Sequence, residues 1–164
     1  MKVRDVMMRT AASCTSETNL AAAVEILWNR NCGILPIVNA QQEVIGVVTD
    51  RDICIALGTR NRPAGEIPVS DVASGKVFAC QPDDDIRSAL VTMGIAKVRR
   101  LPVINAKHKL EGILSMDDVV AHSDARTPGK TAELSNEDVV DALRRIYRAE
   151  LPEVPQKKAA TGAC

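Results

Sequence analysis

Aromatic rings, histidines and an excess of either charge are all scarce in this sequence. Trp28, Phe78 and Tyr147 are its only aromatic residues, which argues against a single-strand binder that stacks bases on aromatic platforms. Lysine plus arginine number 21 and aspartate plus glutamate 21, so there is no electrostatic footprint for nucleic acid or an anionic membrane. His108 and His122 are the only histidines, and neither falls beside a cysteine or serine in an arrangement that would make a nucleophile and its base. The chain is therefore not read as an enzyme, and the run Asp83-Asp84-Asp85 reads as helix-start capping. Five cysteines (Cys14, Cys32, Cys54, Cys80, Cys164) lack the paired short spacing of a zinc site. Their odd number, with no signal peptide at Met1-Lys2-Val3-Arg4-Asp5, fits reduced thiols and a cytoplasmic location. No apolar run is long enough to span a membrane.

What is present suits one folded domain with a real core: 164 residues, 46% hydrophobic and mostly aliphatic, 26% charged. Two heptapeptides organise it, Gly46-Val47-Val48-Thr49-Asp50-Arg51-Asp52 and Gly112-Ile113-Leu114-Ser115-Met116-Asp117-Asp118. Each reads as the end of an apolar strand, a hydroxyl residue at the turn, and a carboxylate one helical turn later. The hydroxyl can cap the helix and can bond a phosphate placed there. The carboxylate, on the same helix face, can accept two hydrogen bonds from a ribose diol, or can serve only as a first-turn anion.

Shifting the chain by 66 residues aligns Val3–Leu57 with Val69–Ser123 without a gap, and Val3/Val69, Cys14/Cys80, Pro36/Pro102, Gly46/Gly112 and Asp52/Asp118 are among the identical pairs. Two copies, each too short to bury itself, predict half-domains packed about a pseudo-two-fold axis. The fold class is α/β (α+β), and each half reads strand, helix, strand, strand, helix. In the first half these are a strand over Ala11–Cys14, a helix capped by Thr18 and running to Asn31, strands Ile34–Val38 and Glu43–Val48, and a helix from Asp50 ending at Gly58. The second half repeats them with a strand over Val77–Cys80, a helix from Asp84 to Ala96, a hairpin over Leu101–Leu114 and a helix from Ser115 to His122. The expected divisions are repeat 1 over 1–58, a linker over 59–68, repeat 2 over 69–123, a loop over 124–134, a helix over 135–151 and a disordered tail over 152–164. Ser135-Asn136-Glu137-Asp138 resembles a capping box, and Val139, Val140, Leu143, Ile146 and Tyr147 form a stripe that needs a partner, either this chain's core or a second subunit.

The double pattern "LPIVNAQQEVIGVVTDRDI" and "LPVINAKHKLEGILSMDDV", each preceded by "RDVM" or "SDVA" and a helix, resembles the CBS domain. A tandem pair of these is a Bateman module. The resemblance implies a sensor that binds adenosine-containing ligands (AMP, ADP or ATP, with S-adenosylmethionine possible) in clefts between the repeats, with no cofactor required. It implies ribose recognition by Asp52 and Asp118, phosphate contacts from Thr49 and Ser115, and close backbone approach at Gly46 and Gly112. An arginine two residues before the strand proline reaches phosphate in some members. Arg100 holds that position before Pro102, whereas Ile34 holds it in the first repeat, so the two clefts should differ in charge recognition. The family also implies association of two CBS pairs through their helices into a flat disc, hence a homodimer, and an unidentified downstream protein. The alternative role is a ligand-free pair that serves as a dimerisation or interaction module.

Overall fold

Each half is built on an antiparallel hairpin whose first strand carries a proline at its centre. In the computed structural model, which describes residues 1–124 and 133–147, β1 (Ile34–Val38) pairs with β2 (Val44–Thr49) and β3 (Arg100–Ile104) pairs with β4 (Leu110–Ser115). The registers match: Pro36 faces Val47, Pro102 faces Ile113, and a bulge follows at Ile37/Val38 and at Val103/Ile104. The turns match as well. The side-chain oxygen of Asn39 accepts from the backbone N–H of Gln41 (3.0 Å) and Glu43 (2.9 Å), and that of Asn105 from Lys107 (2.9 Å) and Lys109 (3.1 Å).

The strands expected over Ala11–Cys14 and Val77–Cys80 shrink to single parallel bridges, Cys14 with Ile37 and Cys80 with Val103. The prolines explain why. Cys14 donates its N–H to the Pro36 carbonyl (3.0 Å) and accepts from Val38 (2.9 Å), and the next rung back needs the N–H that Pro36 lacks. Pro102 stops the Cys80 rung in the same way.

The helices start and stop at residues slightly different from those expected. Asn19, not Thr18, caps α2 (Leu20–Asn29), accepting from Ala22 N–H at 2.9 Å, while Thr18 Oγ1 accepts from Thr15 N–H. Asp85, not Asp84, caps α4 (Ile86–Ala96), because Asp84 is occupied by the Gln81 N–H at 2.7 Å. The helix α3 (Asp50–Arg60) runs through Gly58 and ends at Asn61, whose φ of 48° supplies the left-handed terminus. The expected linker therefore starts inside a helix. It also holds a short 3₁₀ turn, Ala64–Glu66. The last helix of the second repeat, α5, covers Met116–Ala121.

The segment that opens each repeat packs on the other repeat. The first, α1 (Val3–Val6), puts Val3 and Val6 into the core of Ile86, Met93, Leu101 and Leu114. Ile67 and Val69 enter the core of Leu20, Leu35 and Val48. Backbone bonds seal both exchanges: Met8 and Ile113 bond reciprocally at 2.9 Å, and Ser74 bonds Val47 at 3.1 and 3.3 Å. The two halves are thus interlocked rather than merely stacked.

Gly46 and Gly112 sit where these crossing segments meet the hairpins. A Cβ on Gly112 would lie 2.5 Å from the Met8 carbonyl oxygen, and one on Gly46 would lie 3.2 Å from that of Ser74. The first distance forces rigid backbone to move, whereas the second needs a shift of a few tenths of an ångström. Gly112→Ala should therefore cost about 1–3 kcal/mol of stability, the range for overpacking. Gly46→Ala should cost less. Thermal denaturation of both variants checks this, and equal losses would contradict the asymmetry.

Beyond the repeats, α6 (Asn136–Tyr147) begins with the expected capping box: Ser135 N–H and Oγ–H donate to Asp138 Oδ2 at 2.9 and 2.8 Å. Its Val139, Ala142 and Ile146 are buried against α4 and α5, so the stripe covers this chain's own core. Val140 and Tyr147 remain exposed. The expected tail, the end of the expected helix and most of the expected loop lie outside the described residues. Burial pushes the Cys14 thiol up to about 11 and the Cys80 thiol to about 12, the latter helped by nearby Asp84, so both stay protonated at neutral pH. Among the described residues no helix is long and apolar enough to cross a membrane.

Candidate functional site

The turn from β2 into α3 is a reciprocal cap that leaves one carboxylate oxygen free. Asp52 Oδ2 accepts from the Thr49 hydroxyl (2.7 Å) and the Thr49 N–H (2.9 Å), while Thr49 Oγ1 accepts from the Asp52 N–H (3.2 Å). Asp52 Oδ1 has no hydrogen-bond partner among the described residues. Repeat 2 builds the same cap, with Ser115 Oγ donating to Asp118 Oδ2 at 2.5 Å and Ser115 N–H at 3.0 Å. The one proton of each hydroxyl is therefore spent on its aspartate. A phosphate reaching Thr49 would have to take that proton from Asp52.

Because the opening segment of repeat 2 crosses onto repeat 1, the β2–α3 turn faces residues of the second half across a cleft of about 340 Å³. Ile34, Val47, Phe78, Val98 and Pro102 give it apolar walls. Thr49 and Asp52 stand on one side, and Arg100, from the first position of β3, enters from the other. The cleft brings together Thr49, Asp52 and Arg100 of the residues expected to act. Gly46 backs it, holding Ser74 close. Gly112, Ser115 and Asp118 belong to the opposite turn and do not line it.

Charge in the cleft is unbalanced. Arg51, Lys76, Lys97, Arg99 and Arg100 line it against Asp50 and Asp52. Of the five cations only Arg100 is half-buried, its side chain 28% exposed, with Nη2 3.9 Å from Asp117 Oδ2. Gly33 makes room for it, since a Cβ there would lie 3.1 Å from Arg100 Nη1 and 3.0 Å from Asp50 Oδ2. Lys76 Nζ sits 4.7 Å from the centroid of the Phe78 ring, and Arg99 Nη1 donates to Tyr147 Oη at 3.4 Å.

Sequence reasoning missed Asp50, Lys76, Phe78 and Lys97. A signal existed in the aligned repeats. Lys76, Lys97, Arg99, Arg100 and Arg51 correspond to Thr10, Asn31, Gly33, Ile34 and Asp117, so every cation of this cleft is replaced by a neutral or acidic residue in the other repeat. The contrast carries meaning only once the crossing of the chain shows that these five meet. Among the described residues no group of three or more His, Cys, Asp and Glu could hold a metal ion.

Known proteins share this fold. CBS domain-containing protein YhcV of Bacillus subtilis is 28% identical over 144 residues, 88% of this chain and 94% of that protein. Among solved structures, the CBS domain protein PAE2072 of Pyrobaculum aerophilum, complexed with AMP, superposes with a TM-score of 0.67 at 19% identity, covering 73% of this chain and 90% of that one. The CBS domain pair of protein MJ0100, in complex with 5'-methylthioadenosine and S-adenosyl-L-methionine, gives 0.68 at 21% identity over 74% of this chain and 94% of that one. The family model of the CBS domain matches twice, at residues 3–59 and 69–124, the same two stretches whose hairpins, caps and crossed segments repeat one another. With both halves so matched, this chain belongs to the CBS domain family as a tandem pair with an added C-terminal helix.

Proposed function

We propose that this protein is a non-catalytic regulatory module that binds an adenosine phosphate (AMP, ADP or ATP) in the cleft between its repeats and passes the bound state to a partner protein or through a homodimer. The observation that carries this reading is the meeting of a free Asp52 oxygen, apolar walls and a half-buried Arg100 in one cleft. A ribose diol has two donors for the carboxylate, an adenine ring has flat apolar faces for Ile34, Val47, Val98 and Phe78, and a phosphate has acceptors for the guanidinium. The excess of cations favours a phosphate over the sulfonium of S-adenosylmethionine. Ser115 and Asp118 would serve a second, less basic site, with Gly112 behind them. AMP and adenosine derivatives in the related structures of PAE2072 and MJ0100 agree with an adenosine ligand.

Thermal unfolding tests it. A ligand at 100 times its dissociation constant stabilises by about 2.7 kcal/mol, which for a chain of this size raises the Tm by about 5–10 °C. AMP, ADP or ATP should produce that rise and adenosine a smaller one. If no adenosine compound moves the transition, the pair is a ligand-free packing module instead.

A further inference from the structure

One aromatic ring lines the ligand cleft, and a lysine covers it. Phe78 is half-buried; with Val98 it packs against the core of repeat 2, and it also forms part of the cleft wall. Lys76 lies over the ring, its Nζ 4.7 Å from the centroid. Its ammonium has no ion pair or hydrogen bond among the described residues, so the ring is what holds it. The backbone beneath is fixed. Lys76 N–H donates to Ser74 Oγ at 3.3 Å, and the Ser74 backbone bonds Val47 of repeat 1 at 3.1 and 3.3 Å. A flexible stem thus carries a movable charge on an anchored base. The other repeat has no such pair, since Thr10 and Ala12 stand at the corresponding positions.

We infer that Lys76 is a latch on the base-binding part of this cleft. It occupies the ring face on which an adenine would stack, and it is compensated for leaving only by a ligand whose phosphate gives its ammonium a new partner. The inference rests on the adenosine-phosphate reading above and makes Lys76 a specificity-determining residue of that cleft. The argument is a balance of exchanges. Stacking a base on Phe78 breaks the contact between ammonium and ring. With adenosine, the displaced ammonium returns to water and that contact is lost. With AMP, the ammonium stays in the cleft and turns to the phosphate, where opposite charges attract. Arg100 attracts phosphate without obstructing a neutral ligand, because it lies over Gly33 and not over the ring. Lys76 does both, holding back the nucleoside and accepting the nucleotide. Salt separates the two actions. A cation on a ring face is a short-range contact, whereas an exposed ammonium and a phosphate attract through solvent that salt screens.

Calorimetric titration of adenosine and AMP into the full chain tests the inference. At low salt Lys76→Ala should bind adenosine about twofold to fivefold more tightly than the parent, the range for an exposed cation on a ring, while its AMP affinity changes less. At high salt the variant should bind both ligands more tightly than the parent by the same factor, so that removing a cation improves the binding of an anion. Lys76→Arg, which keeps a cation over the ring, should show neither gain. In a Phe78→Leu background the gain from Lys76→Ala should vanish, because leucine keeps apolar bulk but offers the ammonium no ring face to cover. If the parent binds AMP and Lys76→Ala binds adenosine no better than the parent does, the inference is overturned and the adenosine-phosphate reading stands. A gain that survives in the Phe78→Leu background overturns it too, and makes Lys76 an obstruction unrelated to the ring. A parent that binds neither ligand overturns that reading and the inference with it.

Discussion

Asp52→Ala should weaken nucleotide binding at least tenfold, and Asp118→Ala should leave affinity at the basic cleft within about twofold. The two variants lose the same local structure. Each aspartate accepts two hydrogen bonds from the residue that caps its helix, and each capping hydroxyl accepts one in return. Removing either carboxylate should therefore cost a similar amount of stability, about 1 kcal/mol for a lost cap. Their positions relative to the cleft differ. Asp52 lines it with Oδ1 unspent, whereas Asp118 does not line it. A hydrogen bond to a charged group is worth about 1.5–3 kcal/mol, and a bound ribose offers two. Calorimetric titration below both melting temperatures separates the effects: matched losses of stability with unmatched losses of affinity. Equal affinity in Asp52→Ala and the parent would remove Asp52 from the site, and an equal loss in Asp118→Ala would make both effects indirect.

The same pair of caps shows why so much of this fold is legible in the sequence. Hydroxyl, two residues, aspartate is a local instruction, satisfied by bonds within four residues, and it is met at Thr49, Ser115 and Ser135 alike. The hairpins are local too, since Asn39 and Asn105 each close a turn through their own side chains. What pattern reading misplaces depends on partners far along the chain or on a missing group. Gly58 looks like a helix end, yet nothing obliges the helix to stop until Asn61 turns left-handed. Val3 and Val6, or Ile67 and Val69, announce only that they will be buried, not in which core. That exchange decides which charged residues share a cleft, because it carries Ser74, Lys76 and Phe78 onto the Thr49 turn. Arg100 and Asp52 were legible as separate residues. Their meeting across the two halves was not.

Arg100→Ala should erase most of the preference for AMP over adenosine, reducing the ratio of their affinities roughly tenfold or more, as expected for a charge-assisted bond of about 1.5–3 kcal/mol. Five cations line the cleft, but they do not meet a phosphate on equal terms. Arg51, Lys76, Lys97 and Arg99 are exposed, where water and salt screen their attraction for a phosphate. Arg100 is half-buried, anchored at the start of β3 and held over Gly33, so it meets a ligand with less solvent between them and less side-chain freedom to lose. Its ion pair with Asp117 does little to neutralise it, because that carboxylate is 89% exposed and 3.9 Å away. Losing the pair should therefore cost little stability, and the variant stays folded for the comparison. Lys76→Ala gives the contrast: a smaller fall in the ratio, and one that added salt largely removes. In the parent the AMP preference should persist in part at high salt, since the half-buried contribution is screened least. Titrating AMP and adenosine into the parent and both variants at two ionic strengths decides the matter. A ratio unchanged in Arg100→Ala would take this arginine out of the site and leave phosphate recognition to the exposed lysines.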